Sequence, residues 1–367
     1  MTSSAQPGAA DFPVLTLEGS AAVRGIAYGR LAAERIRDGL DFYRGVFAAA
    51  GLEGERLRRV SDRLADAIGE FDAEMLLELE GIARGAKVTL GEVISLNARS
   101  ELMRSSEEGC TGVACLPAAT RSGHTLLGQN WDWHPSRVAS GVLMRILPDH
   151  GPAILAFAEA GALARCGLNE AGVGVVGNAL ECEGCSVPGG VPVALLRRRI
   201  LGCGSVEEAV DAVREAPRGT SVNHLVASAG GEAVSCETTP RAVYEVLPED
   251  GLLGHSNHFL SARAREEVVD TGIAVHPDTL ARAPRIEKLL AARRPLEVAD
   301  LEESFRDHDG YPDSICRHAE TVEMGTWTTV ASVVMDLDER RLSLAAGPPC
   351  EGEYREHELL PTRQRAA

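Results

Sequence analysis

The chain has 367 residues, room for one large domain or two ordinary ones, and its 44% hydrophobic and 25% charged content suits a globular protein with a substantial core. Fifty-four acidic against 37 basic residues leave a formal net charge of −17, which argues against nucleic acid or an anionic membrane as a surface-wide partner but leaves room for a locally basic pocket. The opening MTSSAQPGAADFPV lacks the regions of a signal peptide and no apolar run reaches the length of a membrane span; with an odd count of 9 cysteines, read as reduced thiols, this indicates a cytoplasmic chain.

Residues 1–20 read as a flexible start followed by a short strand, FPVLTLEG. From about Ala21 to Met103 apolar residues recur at three and four, the helical period, and Thr89 with Glu92 supplies a capping box for TLGEVISLNARSELM. The character changes at Gly109. Short apolar or alternating runs broken by glycine follow to about Ala179: CTGVACLPA, HTLLGQNWDW, SGVLMRILP, AILAFAEAG and AGVGVVGNAL, with a hairpin turn at Leu168–Gly172. Two helices are expected near Pro192–Leu201 and Val206–Glu215, then strands in SVNHLVASAGGEAVSCETT, AVYEVLP and LLGHSNHF. A helical pair over 278–308 precedes a hairpin joining TTVASVVMDL to RLSLAAG. Blocks of strands beside blocks of helices predict an α+β fold with antiparallel sheets.

Among the cysteines, Cys182-x-x-Cys185 has the spacing of half a zinc site without a second pair at a suitable distance, and His255-x-x-His258 likewise lacks a third ligand, so no metal is expected. Packing is the ordinary role of a single buried cysteine, but Cys110 has distinctive neighbours. Gly109 can take backbone angles closed to other residues and so tolerate a strained peptide bond, Thr111 adds a hydroxyl, and Gln129-Asn130-Trp131-Asp132 returns amides and a carboxylate about twenty residues later, the length of one hairpin. A thiol nucleophile needs a base: His124, His134, His255 and His258 are available, none in a papain-like setting. The other solution is the cysteine's own α-amine, which titrates near ~8 and exists only if the chain is cut before it. Asn178, Asn257 and Arg317 complete the polar punctuation; taken singly, each reads as readily as a turn or surface residue.

Taken together, EGIARGA, LNARSE, EEGCT, LLGQNWDW, EAGALARCGLNEAGVGVVGNAL, GVPVALLRR, GHSNHFL and YPDSICR resemble, in order, the acyl-coenzyme A:isopenicillin N acyltransferase family, autoproteolytic N-terminal nucleophile hydrolases, and more distantly the choloylglycine hydrolases. The resemblance implies a four-layer αββα sandwich with two antiparallel sheets, and self-cleavage at Gly109–Cys110 with Thr111 beside it. It divides the chain into a helical fragment, 1–109, that stays bound to a catalytic part, 110–350, and a tail, 351–367. It implies Cys110 as nucleophile, its new amine as base, Asp132 orienting that amine, Asn257 and Asn178 as oxyanion donors, Arg317 holding Asp132 or a substrate carboxylate, and Trp131, Trp133 and His258 as substrate contacts. No cofactor is implied; acyl-CoA enters as a substrate, alongside small N-acyl compounds. Departures are Gly112, where family members often carry a hydroxyl, and a longer loop before GQNWD. An uncut Cys-His hydrolase using His255 or His258 and a non-catalytic binding member of the fold remain alternatives, and homo-oligomerisation is left open.

Overall fold

The computed structural model describes residues 11–103, 109–185, 189–319, 321, 323 and 325–360; Glu107 and Glu108 of the EEGCT stretch lie outside them. Strand β1 (Val14–Gly19) leads into helices α1 (Ala21–Leu31), α2 (Ala33–Ala49), α3 (Gly54–Phe71), α4 (Ala73–Ala86), α5 (Leu90–Asn97) and α6 (Arg99–Leu102). Strands β2 (Gly109–Cys115), β3 (Leu126–Trp133), β4 (Gly141–Pro148), β5 (Ile154–Glu159), β6 (Cys166–Asn169) and β7 (Val173–Ala179) follow. Helices α7 (Val193–Ile200) and α8 (Val206–Glu215) precede β8 (Val222–Ser228), β9 (Ala233–Thr238), β10 (Val243–Val246) and β11 (Leu252–His255). The chain closes with α9 (Ala262–Glu267), α10 (Gly272–Val275), α11 (Thr279–Ala291), α12 (Val298–Ser304), β12 (Thr328–Asp336), β13 (Arg341–Ala346) and β14 (Arg355–Glu358), the last lying inside the segment set apart as a tail. The helical start, the capping box at Thr89 and Glu92, both helix pairs and the final hairpin fall where the residue pattern puts them.

Two sheets form: an eight-stranded one ordered β1-β4-β5-β6-β7-β8-β9-β10 and a six-stranded one ordered β11-β2-β3-β12-β13-β14. All neighbours are antiparallel except β1 and β4, which run parallel, joined through the six helices and the β2–β3 hairpin of the other sheet. The sheets pack face to face through β2 and β3 against β7 and β8, α1, α7 and α8 lie on the outer face of the larger sheet, and α11 and α12 cover the outer face of the smaller. This is the expected αββα sandwich. Every residue of β2 and β3 is buried, since both faces of these strands are covered.

Glycines decide how closely the helical layer packs. A Cβ on Gly25 would sit 2.1 Å from the Glu78 carbonyl oxygen, and one on Gly29 2.2 Å from that of Ile82, so α1 and α4 touch backbone to backbone and no larger residue fits. The phenol of Tyr43 on α2 donates to Glu159 at 2.7 Å and that of Tyr28 on α1 to the Ala162 carbonyl at 3.1 Å, which anchors the layer to the end of β5. Among the described residues no helix is long and apolar enough to cross a membrane.

Candidate active site

The hairpin of β2 and β3 sets Gly109 opposite Asp132, Cys110 opposite Trp131 and Thr111 opposite Asn130. Alternation along β2 then divides its side chains between two layers. Cys110 and Ala114 enter the core between the sheets, whereas Val113 and Cys115 pack with Ile286, Leu290 and Leu301 under α11 and α12. Cys110 is wholly buried. Arg165 approaches its Sγ at 3.3 Å through Nη2, and the same guanidinium lies 4.0 Å over the Trp131 ring. A cation against sulfur is the kind of neighbour that supports thiolate chemistry. The Cys110 backbone N–H donates to Asn257 Oδ1 at 2.9 Å, while its carbonyl accepts from Asn178 Nδ2 at 3.2 Å and Arg282 Nη1 at 2.7 Å.

Asp132 is buried on the far side of the same backbone. Its Oδ1 accepts from the Thr329 hydroxyl at 2.7 Å. Among the described residues Oδ2 has no hydrogen-bond partner, and it faces the equally unpartnered Nε of Arg317 at 3.6 Å. Oδ2 also lies against Gly109, where a Cβ would sit 2.8 Å from it. Burial raises the Asp132 carboxyl above the usual range, outweighing Arg317, Arg282 and the Thr329 hydrogen bond, which pull it down. The space Asp132 occupies gives a steric reason for glycine at 109, beside any role of its backbone freedom.

The polar groups form one connected network. Arg317 pairs with Asp132, with Asp313 and with Asp278; Asp278 accepts from Arg282 Nε at 2.9 Å; Arg282 reaches Thr111 Oγ1 at 2.9 Å and Asn257 Oδ1 at 2.8 Å. Asn257 Nδ2 meanwhile donates to the Ala179 carbonyl at 3.0 Å. Asn257 thus touches the Cys110 nitrogen through its oxygen, and Asn178 presents its amide N–H to the Cys110 carbonyl.

The remaining expected residues sit as follows. Trp131 is buried beneath Arg165, while Trp133 is buried against α2 and donates its indole N–H to Tyr43 at 3.0 Å. His258 hydrogen-bonds Thr279 at 3.0 Å, and burial lowers its pKa to about 4. His255 is spanned by the Ser256 carbonyl at 2.7 Å and Glu237 at 2.8 Å. His124 faces Asp336 at 2.9 Å and His134 faces Ser136 at 2.8 Å. Cys182 and Cys185 correct the expectation of uniformly reduced thiols: they form a disulfide, the turn between them bringing their Cα atoms to 5.2 Å, within bridging range.

Sequence reasoning missed Arg165, Arg282, Asp278 and Thr329. Arg165 lies within EAGALARCGLNEAG, so its stretch was visible although its role was not; Arg282 lies in an ordinary helical pattern, ARAPR, with nothing to separate it from a surface arginine. Arg165, which meets the Cys110 sulfur, lines a cavity of about 30 Å³ together with Arg99, Arg197, Glu159 and Ala164. That volume holds about one water, and its lining is basic within a strongly acidic chain.

Residues 119–351 match the family model described as acyl-coenzyme A:6-aminopenicillanic acid acyl-transferase, a stretch holding Asp132, Asn178, Asn257 and Arg317 but starting after Cys110. A curated relative, the 40 kDa form of acyl-coenzyme A:6-aminopenicillanic-acid-acyltransferase from Emericella nidulans, is 28% identical over 350 residues, 91% of this chain and 92% of that protein. Among solved structures, a variant of conjugated bile acid hydrolase from Clostridium perfringens is 16% identical with a TM-score of 0.46, over 65% of this chain and 89% of that one. Penicillin V acylase from Agrobacterium tumefaciens is 13% identical with a TM-score of 0.45, over 65% and 83% respectively. With well over half its length matched, the chain belongs to the acyl-coenzyme A:6-aminopenicillanic acid acyl-transferase family.

Proposed function

We propose that the chain cuts itself between Gly109 and Cys110 and that the mature protein is a cysteine acyltransferase or amidohydrolase with Cys110 as nucleophile. The observation that carries this reading is Asp132 Oδ2, which among the described residues has no hydrogen-bond partner, faces Arg317 at 3.6 Å and lies against Gly109, on a backbone whose next nitrogen is held by Asn257. Such a carboxylate has a clear use once Cys110 N becomes a free amine.

In maturation the Cys110 thiol attacks the Gly109 carbonyl. The Gly109–Cys110 C–N bond breaks, a thioester forms, and the thiol proton passes to the departing nitrogen. Water then hydrolyses the thioester, leaving a Gly109 carboxylate and the restored thiol. Residues 1–109 remain bound to 110–350 through the pairing of β1 with β4 and the anchoring of Tyr28 and Tyr43 at the end of β5.

In turnover the α-amine, near its ordinary pKa of ~8, takes the thiol proton. The thiolate attacks the substrate's acyl carbonyl, and the amine proton goes to the leaving nitrogen or sulfur. Asn178 Nδ2 and Asn257 Nδ2 are the amide donors for the tetrahedral oxyanion, Asn257 Oδ1 holds the amine, and one such donor is worth about 10²–10³ in rate. Water as acceptor gives hydrolysis; an amine gives acyl transfer. The Emericella relative's name pairs acyl-coenzyme A with 6-aminopenicillanic acid, which supports a thioester acyl donor and a small amine acceptor. Arg165, against the Cys110 sulfur, suits an anionic group on such substrates.

The uncut Cys-His alternative is poorly supported, since His255 is bonded at both ring nitrogens and His258, held near 4, is a weak base at neutral pH. The test is a panel of acyl-CoA thioesters and N-acyl amides with amine acceptors, read by intact mass after acid quench. An acyl adduct on the fragment beginning at Cys110 is expected; turnover without any adduct, undiminished in Cys110→Ala, would remove the cysteine from the mechanism.

A further inference from the structure

Four side chains from three separate parts of the chain converge on the loop that carries Arg317: His308 after α12, Cys316 and His318 on either side of Arg317 itself, and Cys350 in the turn after β13. Their ligand atoms all lie within 4.8 Å of one another. The two histidine Nε2 atoms are 3.1 Å apart, His318 Nε2 is 3.6 Å from Cys316 Sγ and 3.3 Å from Cys350 Sγ, and the two sulfurs are 3.6 Å apart. A tetrahedron with metal–nitrogen bonds of ~2.0–2.1 Å and metal–sulfur bonds of ~2.3 Å has edges of roughly 3.3, 3.6 and 3.8 Å for N–N, N–S and S–S. These four separations lie within a few tenths of an ångström of those lengths, and the two from His308 to the sulfurs are within 4.8 Å.

We propose that His308, Cys316, His318 and Cys350 form a Cys₂His₂ site for a structural zinc ion. Two soft thiolates and two imidazoles in a tetrahedron select zinc over magnesium or calcium. The surroundings are those of a built site. Glu351 lies 3.5 Å from Nδ1 of His318, the ring nitrogen turned away from the cluster, which is the carboxylate that orients a zinc-bound imidazole. The backbone around it is tied down: Cys316 N–H donates to the Asp307 carbonyl at 3.0 Å, His318 N–H to the Pro312 carbonyl at 3.1 Å, and Arg306 Nε to the Pro349 carbonyl at 2.9 Å. Cys316 is buried, while His308 and Cys350 are exposed and leave a path for the ion. Binding displaces the two thiol protons, so the divalent ion with two thiolates and two neutral imidazoles carries no net charge.

The site closes a ring around Arg317. Arg317 sits between two ligands and its own backbone carbonyl accepts from Thr329 N–H at 3.0 Å, so the ion fixes the loop that presents the guanidinium to Asp132. Sequence reading expected no metal because it looked for ligand pairs at short spacing; one ligand in fact lies thirty-two residues beyond the nearest of the others, and the remaining three share no helix or strand.

The zinc site is independent of whether Cys110 is the nucleophile, and its readout is metal content. Full-length protein purified without chelator is assayed for bound metals, and the demetallated protein is titrated with Co²⁺. One zinc per chain is expected, with thiolate-to-cobalt charge transfer and the intense d–d bands of a tetrahedral site. Cys350→Ser and His308→Ala, both at exposed positions, should each drop zinc to background, whereas Cys110→Ala and Cys182→Ser should keep it. Wild-type protein that binds neither ion overturns the site, as does a mass two hydrogens short with Cys316 and Cys350 found as a disulfide. Should a variant fail to fold, the cobalt titration of the wild-type chain still decides.

Discussion

Cys110 and Cys115 lie on one strand, five residues apart, and both are wholly buried, yet they occupy different chemical worlds. Cys110 points between the sheets, where Arg165 meets its sulfur and Asn178, Asn257 and Arg282 hold its backbone. Cys115 points under α11 and α12 among aliphatic side chains, and burial pushes its thiol far above the ordinary range. Burial alone therefore does not mark a cysteine as inert. The alternation of a strand covered on both faces selects which thiol meets polar groups and which meets only hydrocarbon.

The largest effect should separate the two thiols outright. Cys110→Ala should leave one uncut chain without acyl transfer, whereas Cys115→Ala should process and turn over normally while losing on the order of 1 kcal/mol of stability, read by denaturant melts. Cutting and activity that survive in Cys110→Ala would erase the distinction between the two positions. Next in size, Asp132→Asn keeps the shape and the Thr329 bond but removes the charge that would hold the new amine; processing and kcat should fall by about 10², measured by gel time course and steady-state kinetics. Unchanged rates would show Oδ2 to be packing only.

Gly109→Ala probes the steric surroundings of the same bond. Its Cβ would meet Asp132 at 2.8 Å, so cleavage should slow and, by thermal melts, stability should drop by about 1–3 kcal/mol. The double variant with Asp132→Ala should recover part of that stability, because the clash is gone.

The smallest effect concerns pH. His258 is held near 4 in the folded chain against 6.5 when free, so unfolded protein takes up a proton that folded protein refuses as pH falls. Its contribution to stability is full above about 6.5 and is lost progressively towards about 4. His258→Gln should therefore lose less stability than wild type between neutral pH and mild acid, checked by thermal melts across that window. An identical acid loss in both proteins would show that His258 does not titrate as described.

The order of helices and strands was legible because apolar runs such as GVLMRILP, and turns such as AGGE, punctuate the chain at lengths that suit one element each. The burial of both faces of β2 and β3 explains why those strands lack a clean alternation of polar and apolar residues. The polar cluster around Cys110 was legible because Gly109, Cys110 and Asp132 lie within one hairpin. Arg282 was not, since α11 brings it to the Cys110 carbonyl from 172 residues away in sequence and a helix hides that reach behind an ordinary charge pattern. The same holds for the four side chains around Arg317, which only the packing of α12, the Arg317 loop and the turn after β13 assembles.

Maturation turns on one bond, and the most direct measurement is the intact mass and N-terminal sequence of freshly purified wild-type protein under denaturing conditions. Two species are expected, one ending at Gly109 and one beginning at Cys110, that separate only on denaturation. A single full-length chain in protein that is fully active would contradict self-cleavage at Gly109–Cys110.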